Sequence, residues 1–521
     1  MQHQNVTMHI RIISFFILIS SLIMINGEIP LNNLSSWCKK TPYSEQCEYY
    51  LTQNKENTFP INGKQDFLTM VIKNAMGNLI QAHQNAYSLS SSNVESEVEK
   101  AVWLDCLDLY ELAIDHLNQT ITNTKCTKFD TQTWLSTALT SHQTCQNGFN
   151  DMNLVNKFMP NNLNISSLIS NALAINNDGN TDTDTASWTK TEKDGFPSWV
   201  RPGDRKLLQS MGGGGDIVVA QDGSGDYSSV EAAISAASSK SKGGSRLVIY
   251  IKTGTYKENI NIGLKNIMLK GDGIGKTIIT GSRSAGGGST TFRSATVAAM
   301  GSGFMAQGIT FSNTAGPGNH QAVAFRSNSD LSVFYQCSFE GYQDTLYVLT
   351  NRQFYRECNI YGTVDFIFGN AAVVLQNCNI LPRHPPNGLN TLTAQGRTDP
   401  NQNTGIVIHN CRVTAAEGLG GANTYLGRPW QKFSRTVFMK TYLDSIINPK
   451  GWYPWSGNFA LSTLYYAEFA NTGPGSSTGS RVNWPGYHVI GASDAGRFTV
   501  GSFIAGGSWI PNTGVPFTSG L

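Results

Sequence analysis

Val333-Phe334-Tyr335-Gln336-Cys337-Ser338-Phe339, Gln353-Phe354-Tyr355-Arg356-Glu357-Cys358-Asn359-Ile360 and Val373-Val374-Leu375-Gln376-Asn377-Cys378-Asn379-Ile380 decide the fold. Each is an apolar run followed by x-Cys-x-apolar, and 406–413, ending at Cys411 and Val413, has the same form. The first three Cys recur at intervals of 21 and 20 residues. A repeat near 20 residues carrying several short strands is the mark of a parallel β-solenoid. Each repeat is then one coil, and matching residues stack about 4.8 Å apart. The pattern extends back to Asp216 through short β runs such as 247–251, 267–269 and 277–279. The 52 Gly agree with many tight turns.

Two further segments recur with the coil. Gly341-Tyr342-Gln343-Asp344-Thr345-Leu346-Tyr347 and Gly362-Thr363-Val364-Asp365-Phe366-Ile367-Phe368-Gly369 each hold one Asp among apolar and aromatic neighbours. Each Asp follows its Cys by seven residues, so Asp344 and Asp365 are 21 apart. The repeat predicts that they stand on adjacent coils, on one face. Two carboxyls that close cannot both ionise easily: one pKa falls and the other rises. That is the make-up of a nucleophile or base beside a protonated acid. A regular strand would send Gln343 and Asp344 to opposite faces, so a turn or bulge is expected there.

The first third of the chain reads differently. Residues 31–175 are poor in Gly and carry apolar positions at helical spacing, as in Val102, Leu107, Ile114 and Leu117. A small helix bundle is expected, with Cys38–Cys47 stapling a hairpin and Cys106–Cys145 tying two helices. Ahead of it, Arg11 and the apolar run 12–25 read as a secretory signal ending near Gly27, which implies an extracellular protein. The sequons at Asn33, Asn118 and Asn164 agree with secretion. In that setting some of the nine Cys should be bridged, and the odd count leaves at least one free. The coil repeat alone allows Cys358 to pair with Cys337 or with Cys378.

Residues 176–215 form a polar, Gly-rich linker holding Arg205-Lys206-Leu207-Leu208, a candidate processing site. The organisation read from the chain is therefore signal 1–27, helical pro-domain 28–175, linker 176–215 and solenoid 216–511. Charge divides along the same line. Residues 28–208 carry 14 Lys/Arg against 20 Asp/Glu, and residues 209–521 carry 23 against 16. The second part suits a polyanion, and the first can complement it.

Other motifs carry less. Gly475-Ser476-Ser477-Thr478-Gly479 lacks the strand and helix of a nucleophile elbow. The stretch 271–277 has Lys270 where a phosphate loop needs its first Gly. His320, His384, His409 and His488 have no metal spacing, and no Cys pair is arranged for zinc. No metal or cofactor is expected, nor nucleic-acid binding. Leu426-Gly427-Arg428-Pro429-Trp430 sets a cation two residues from an indole, a pairing suited to a carboxylate and a sugar ring.

These motifs, with Asn319-His320-Gln321-Ala322-Val323-Ala324, resemble the plant-type pectin methylesterases (pectinesterases). Residues 31–175 are similar, more loosely, to the invertase and pectin methylesterase inhibitor bundle, and Arg205–Leu208 to the family's processing signal. The resemblance implies an all-β right-handed parallel β-helix behind an all-α helix-bundle pro-domain. It implies hydrolysis of the methyl esters of cell-wall homogalacturonan. Asp365 matches the nucleophile and Asp344 the acid, later base. Gln343 and Gln321 match the oxyanion-stabilising groups. Arg428, Trp430 and Thr291 match substrate-binding positions. It favours a Cys358–Cys378 disulfide. Partners implied are methylated pectin, the chain's own pro-domain or separate inhibitor proteins, and a processing protease. The alternatives from the residues are a pectin glycosidase or lyase, since paired carboxylates also cleave glycosidic bonds, and a non-catalytic wall-binding protein.

Overall fold

The computed structural model describes residues 31–53, 61–88, 96–151, 164–177, 214–240 and 246–521. The expected signal segment, the processing stretch 205–208 and most of the linker lie outside the described residues.

From Ile217 the chain winds into stacked coils. Three sheets of 11, 7 and 8 strands run along the stack, each taking every third strand of the regular coils. The strand pairings are parallel and in the register the repeat predicts. Phe354 pairs with Val333 on one side and Val374 on the other. Ser338, Asn359, Asn379 and Arg412 likewise form one column. This is a parallel β-helix.

The residue before each repeat Cys makes the corner between two sheets. Gln336, Glu357, Asn377 and Asn410 all sit in the left-handed region, at φ 51, 54, 56 and 52°. That conformation costs an ordinary L-residue about 1–2 kcal/mol. It is offset by coil-to-coil bonds such as Gln336 N–H to Arg356 O at 3.0 Å and Glu357 N–H to Gln376 O at 3.2 Å. Regular strands alternate. Leu346 and Val348 point into the solenoid and Tyr347 points out. Inside, Phe304, Phe325, Phe334, Phe339 and Tyr355 are fully buried in one aromatic stack, with Phe334 and Tyr355 centroids 4.4 Å apart.

One expectation is corrected here. Cys358 and Cys378 are not bonded, and neither are Cys337 and Cys358: all are free and buried, as is Cys411. The stack sets matching positions about 4.8 Å apart, which by itself allows but does not impose a bond. Each thiol turns to backbone carbonyls. Cys358 Sγ donates to Arg356 O at 3.4 Å, and Cys378 Sγ to Gln376 O at 3.5 Å.

The N-terminal part is helical, as expected. A hairpin of α1 (Leu31–Cys38) and α2 (Ser44–Gln53) is tied by Cys38–Cys47. It packs on a bundle of α3 (Lys64–Ser88), α4 (Glu97–Thr122), α5 (Lys128–Asp151) and α6 (Ile165–Asn177). Cys106–Cys145 joins α4 to α5. Ser96 caps α4 by accepting from Glu99 N–H at 3.1 Å. Asn171 on α6 exchanges two 2.9 Å hydrogen bonds with the Tyr43 backbone, locking the hairpin to the bundle. Sequon residues Asn118 and Asn164 are exposed.

α5 is unusual in burying polar residues. Thr131, Gln132, Thr133, Ser136, Thr137, Thr140 and Ser141 are all buried. Buried hydroxyls and amides need partners, and most of these find them on the β-helix. The helical unit lies across the outer face of the seven-stranded sheet. One apolar cluster joins its core to Phe292, Val323, Tyr347 and Phe368.

Candidate active site

The site begins with a backbone irregularity. Asp344 and Asp365 both occupy the left-handed region, at φ 63 and 54°. In the strand Val364–Gly369 a bulge lies between Val364, paired with Thr391, and Ile367, paired with Thr393. Three residue steps on one strand thus face two on the next. Gly362 makes room for this turn, since a Cβ there would lie 2.2 Å from the Phe366 Cβ. Leu346 pairs with Ile367, so the register sets Asp344 against Asp365, and the Asp344 N–H donates to Val364 O at 3.1 Å. The expected turn next to Gln343 is the left-handed conformation of Asp344.

The two carboxyls have unequal surroundings. Arg428 grips Asp365 with both arms of its guanidinium: Nε lies 2.9 Å from Oδ1 and Nη2 lies 2.7 Å from Oδ2. Thr391 Oγ1 donates to Asp365 Oδ1 at 2.6 Å and accepts from the Asp365 N–H at 3.0 Å. Asp344, 7 % exposed, has no such cradle. Burial pushes its carboxyl well above the usual range, the charge of Asp365 pushes the same way, and Arg428 opposes. Its surroundings thus favour the protonated form of Asp344.

Other expected residues gather around them. Gln321 and Gln343 are half-buried on neighbouring coils, where Gln343 O accepts from the Ala322 N–H at 3.2 Å. Trp430 packs edge-on to Phe368 at 6.1 Å, and Phe368 stacks on Tyr347 at 4.1 Å. Gly396 is needed there: a Cβ would meet the Trp430 ring at 2.8 Å. Thr291 is half-buried further along the same face, and the contacts to the helical unit fall on its neighbours Thr290, Phe292 and Arg293.

The helical unit closes over this face. Asp105 lies 2.6 Å from Arg293, and Asp130 lies 2.6 Å from Arg352. Thr140 Oγ1 accepts from Asn370 at 2.8 Å and from Gln402 at 3.1 Å. Thr137 donates to Asn351 at 2.9 Å, and Gln132 to Asn401 O at 2.6 Å. Between α5 and Trp430 a small cleft remains, lined by Thr140, Gln143, Asn147, Asn370 and Thr398.

Family models match both parts of the chain: Pectinesterase over residues 216–507 and Plant invertase/pectin methylesterase inhibitor over residues 32–175. The chain belongs to the pectinesterase family. It is 58% identical to "Probable pectinesterase/pectinesterase inhibitor 17" of Arabidopsis thaliana, over 94% of each chain. It is 59% identical to "Pectinesterase 2" of Citrus sinensis, over 94% of this chain and 95% of that one. Among solved structures, carrot pectin methylesterase is 57% identical with TM-score 0.58, covering 59% of this chain and 98% of the carrot chain. That relative therefore corresponds to little more than the β-helix.

Two residues of this pectinesterase site escaped the sequence reading. Thr391, which holds Asp365 on two sides, lies 26 residues beyond it, because the chain between the two coils is longer than the basic repeat. Trp455 stacks on the Arg428 guanidinium at 4.4 Å. The cluster Trp452-Tyr453-Pro454-Trp455 was the signal available for it.

Proposed function

We propose that this chain is a secreted pectin methylesterase whose β-helix hydrolyses the methyl esters of homogalacturonan, with Asp365 as nucleophile. The observation that carries it is the bidentate Arg428–Asp365 pair beside the buried Asp344. An Asp365 oxygen attacks the C6 ester carbonyl. The resulting oxyanion is stabilised by the amides of Gln321 and Gln343. As the C6–O bond to the methoxy group breaks, Asp344 gives its proton and methanol leaves, with the acyl group on Asp365 as an anhydride. Asp344, now a carboxylate, takes a proton from water. The hydroxide adds to the acyl carbon, the anhydride opens, and a galacturonate carboxylate and Asp365 are released. Arg428 orients the nucleophile, and Trp430 and Thr291 flank the sugar chain.

The helical unit holds the enzyme inactive until the linker is cut at Arg205–Leu208. Its hold combines ion pairs and hydrogen bonds with an apolar cluster, and the polar share suits a contact made to be released. The test is methanol release from highly methylated pectin by the intact chain and by the chain cut in the linker. The cut form should release methanol without shortening the polymer, the intact form far less, and Asp365→Asn none. Chain shortening would favour a glycosidase or lyase. Pectin binding without methanol release would favour a wall-binding protein. Equal rates from the two forms would remove the inhibitory role.

A further inference from the structure

Arg293 of the β-helix is met by two acids of the helical unit, and the buried Arg326 lies beside it on the Phe292 ring. Arg293 lies in the turn before the strand Val297–Ala299, and Arg326 on the next coil, in Phe325–Ser327. Arg293 Nε is 2.6 Å from Asp105 Oδ1, and its Nη2 is 3.0 Å from Asp108 Oδ2. The Nε proton itself points to Ala101 O, at 3.3 Å, so the Asp105 contact is ionic in character. Thr290 Oγ1 completes the hold on Asp105 at 2.6 Å. Arg326 is 3 % exposed, lies flat on the Phe292 ring at 3.4 Å and donates to Asn328 at 2.8 Å. Its Nε has no hydrogen-bond partner. The acids that act on Arg326 are Asp105 and Asp108 again.

A buried guanidinium with an unused donor, fixed on an aromatic ring, is costly unless an anion meets it. Within the β-helix none of the described acids does so. Both arginines lie on the face that carries the Asp pair: Arg326 pairs with Tyr347, one coil from Asp344 and three residue steps along the sheet. Asp105 and Asp108, three apart on α4, present two carboxyl groups to this pair, as successive uronates of a de-esterified chain would.

We infer that Arg293 and Arg326 form a subsite for the free carboxylates of already de-esterified galacturonate, and that Asp105 and Asp108 occupy it as an internal mimic. The inference rests on the pectinesterase reading and adds to it. An enzyme holding its product-like stretch one to two coils from the reacting ester favours substrates that are already partly de-esterified.

The probe is a fully de-esterified oligogalacturonate, titrated calorimetrically into the intact chain and into the chain cut in the linker and freed of its helical part. The β-helix is usable alone, since the carrot relative is little more than this unit. The freed β-helix should bind the probe, the intact chain at least tenfold more weakly. Arg293→Gln in the freed β-helix should weaken binding roughly tenfold, the scale of one charge-assisted contact, with Arg293→Lys restoring part of it. The ratio of kcat/KM on partly de-esterified to highly methylated pectin should fall with the affinity. Asp105→Lys with Asp108→Lys, which sets two cations against Arg293 and Arg326, should open the intact chain to the probe. Unchanged affinity and unchanged substrate ratio in Arg293→Gln, with methanol release intact, overturn the subsite alone. Absence of methanol release from the wild-type freed β-helix overturns the parent reading instead.

Discussion

Asp344 and Asp365 are matched residues on adjacent coils, and both are in the left-handed conformation, at φ 63 and 54°. That shared backbone state presents both carboxyls at one point of the sheet face, where a regular strand would carry its neighbours to alternate sides. Their environments then separate them, with Arg428 and Thr391 on Asp365 and burial on Asp344.

Asp344→Asn should keep the fold and lose the chemistry. Asn tolerates the left-handed region better than most residues, so Tm should stay at or above that of the parent. Methanol release should fall by about 10²–10⁴, the usual worth of a placed acid or base. Thermal melting and a methanol assay on the cut form check both. A variant with near-parental turnover would remove Asp344 from the mechanism.

Docking of the helical unit should tighten as pH falls. Burial raises Asp105 to about 7, against the pull of Arg293, Thr290 and Arg326 and with a small push from Asp108. A carboxyl whose pKa is higher docked than free takes up a proton on docking. Its contribution is complete below the free value near 3.9 and is lost as pH rises through about 7. Affinity of the separated units, measured between pH 5 and 8, should therefore drop with rising pH. Asp105→Asn should flatten the curve, and an unchanged slope would point to another group.

Thr140→Val in the intact chain should raise basal methanol release. It removes the acceptor of the Asn370 and Gln402 bonds at 2.8 and 3.1 Å without changing shape. Leaving such groups unpaired costs about 1–3 kcal/mol, roughly a 5- to 150-fold weaker hold. Basal rates of the intact variant against the parent give the answer. No change in rate would mean that these bonds do not hold the cover in place.

Thiol titration should count five free Cys in the unfolded, unreduced chain: Cys126, Cys337, Cys358, Cys378 and Cys411. In the folded chain only Cys126, which is partly exposed, should react promptly. Three thiols after unfolding would mean that a pair such as Cys358–Cys378 does bond.

Much of this molecule was legible in the chain. The intervals from Cys337 to Cys358 to Cys378 contain the coil length, because parallel stacking repeats one environment at each turn. The same interval brought Asp344 to Asp365. The motif around Arg428 marked a carboxylate clamp, though not that its target is Asp365. Periodicity also separated the helices from the solenoid, closeness in sequence suggested Cys38–Cys47, and Cys106–Cys145 was a pair that could tie two helices; both bonds are present.

The tertiary structure decided the rest. The thiols of the Cys ladder meet backbone carbonyls and are not bonded to one another, which interval counting cannot reveal. Thr391 and Trp455 reach the site across segments longer than the basic coil, so no fixed spacing announces them. The polar face of α5 and the placing of Asp105 over Arg293 depend on two units meeting, and a charge split along the chain records only that they can. The opening Cys repeat specifies a stack of coils; contacts between coils, and with the helices laid over them, make one of its faces a site.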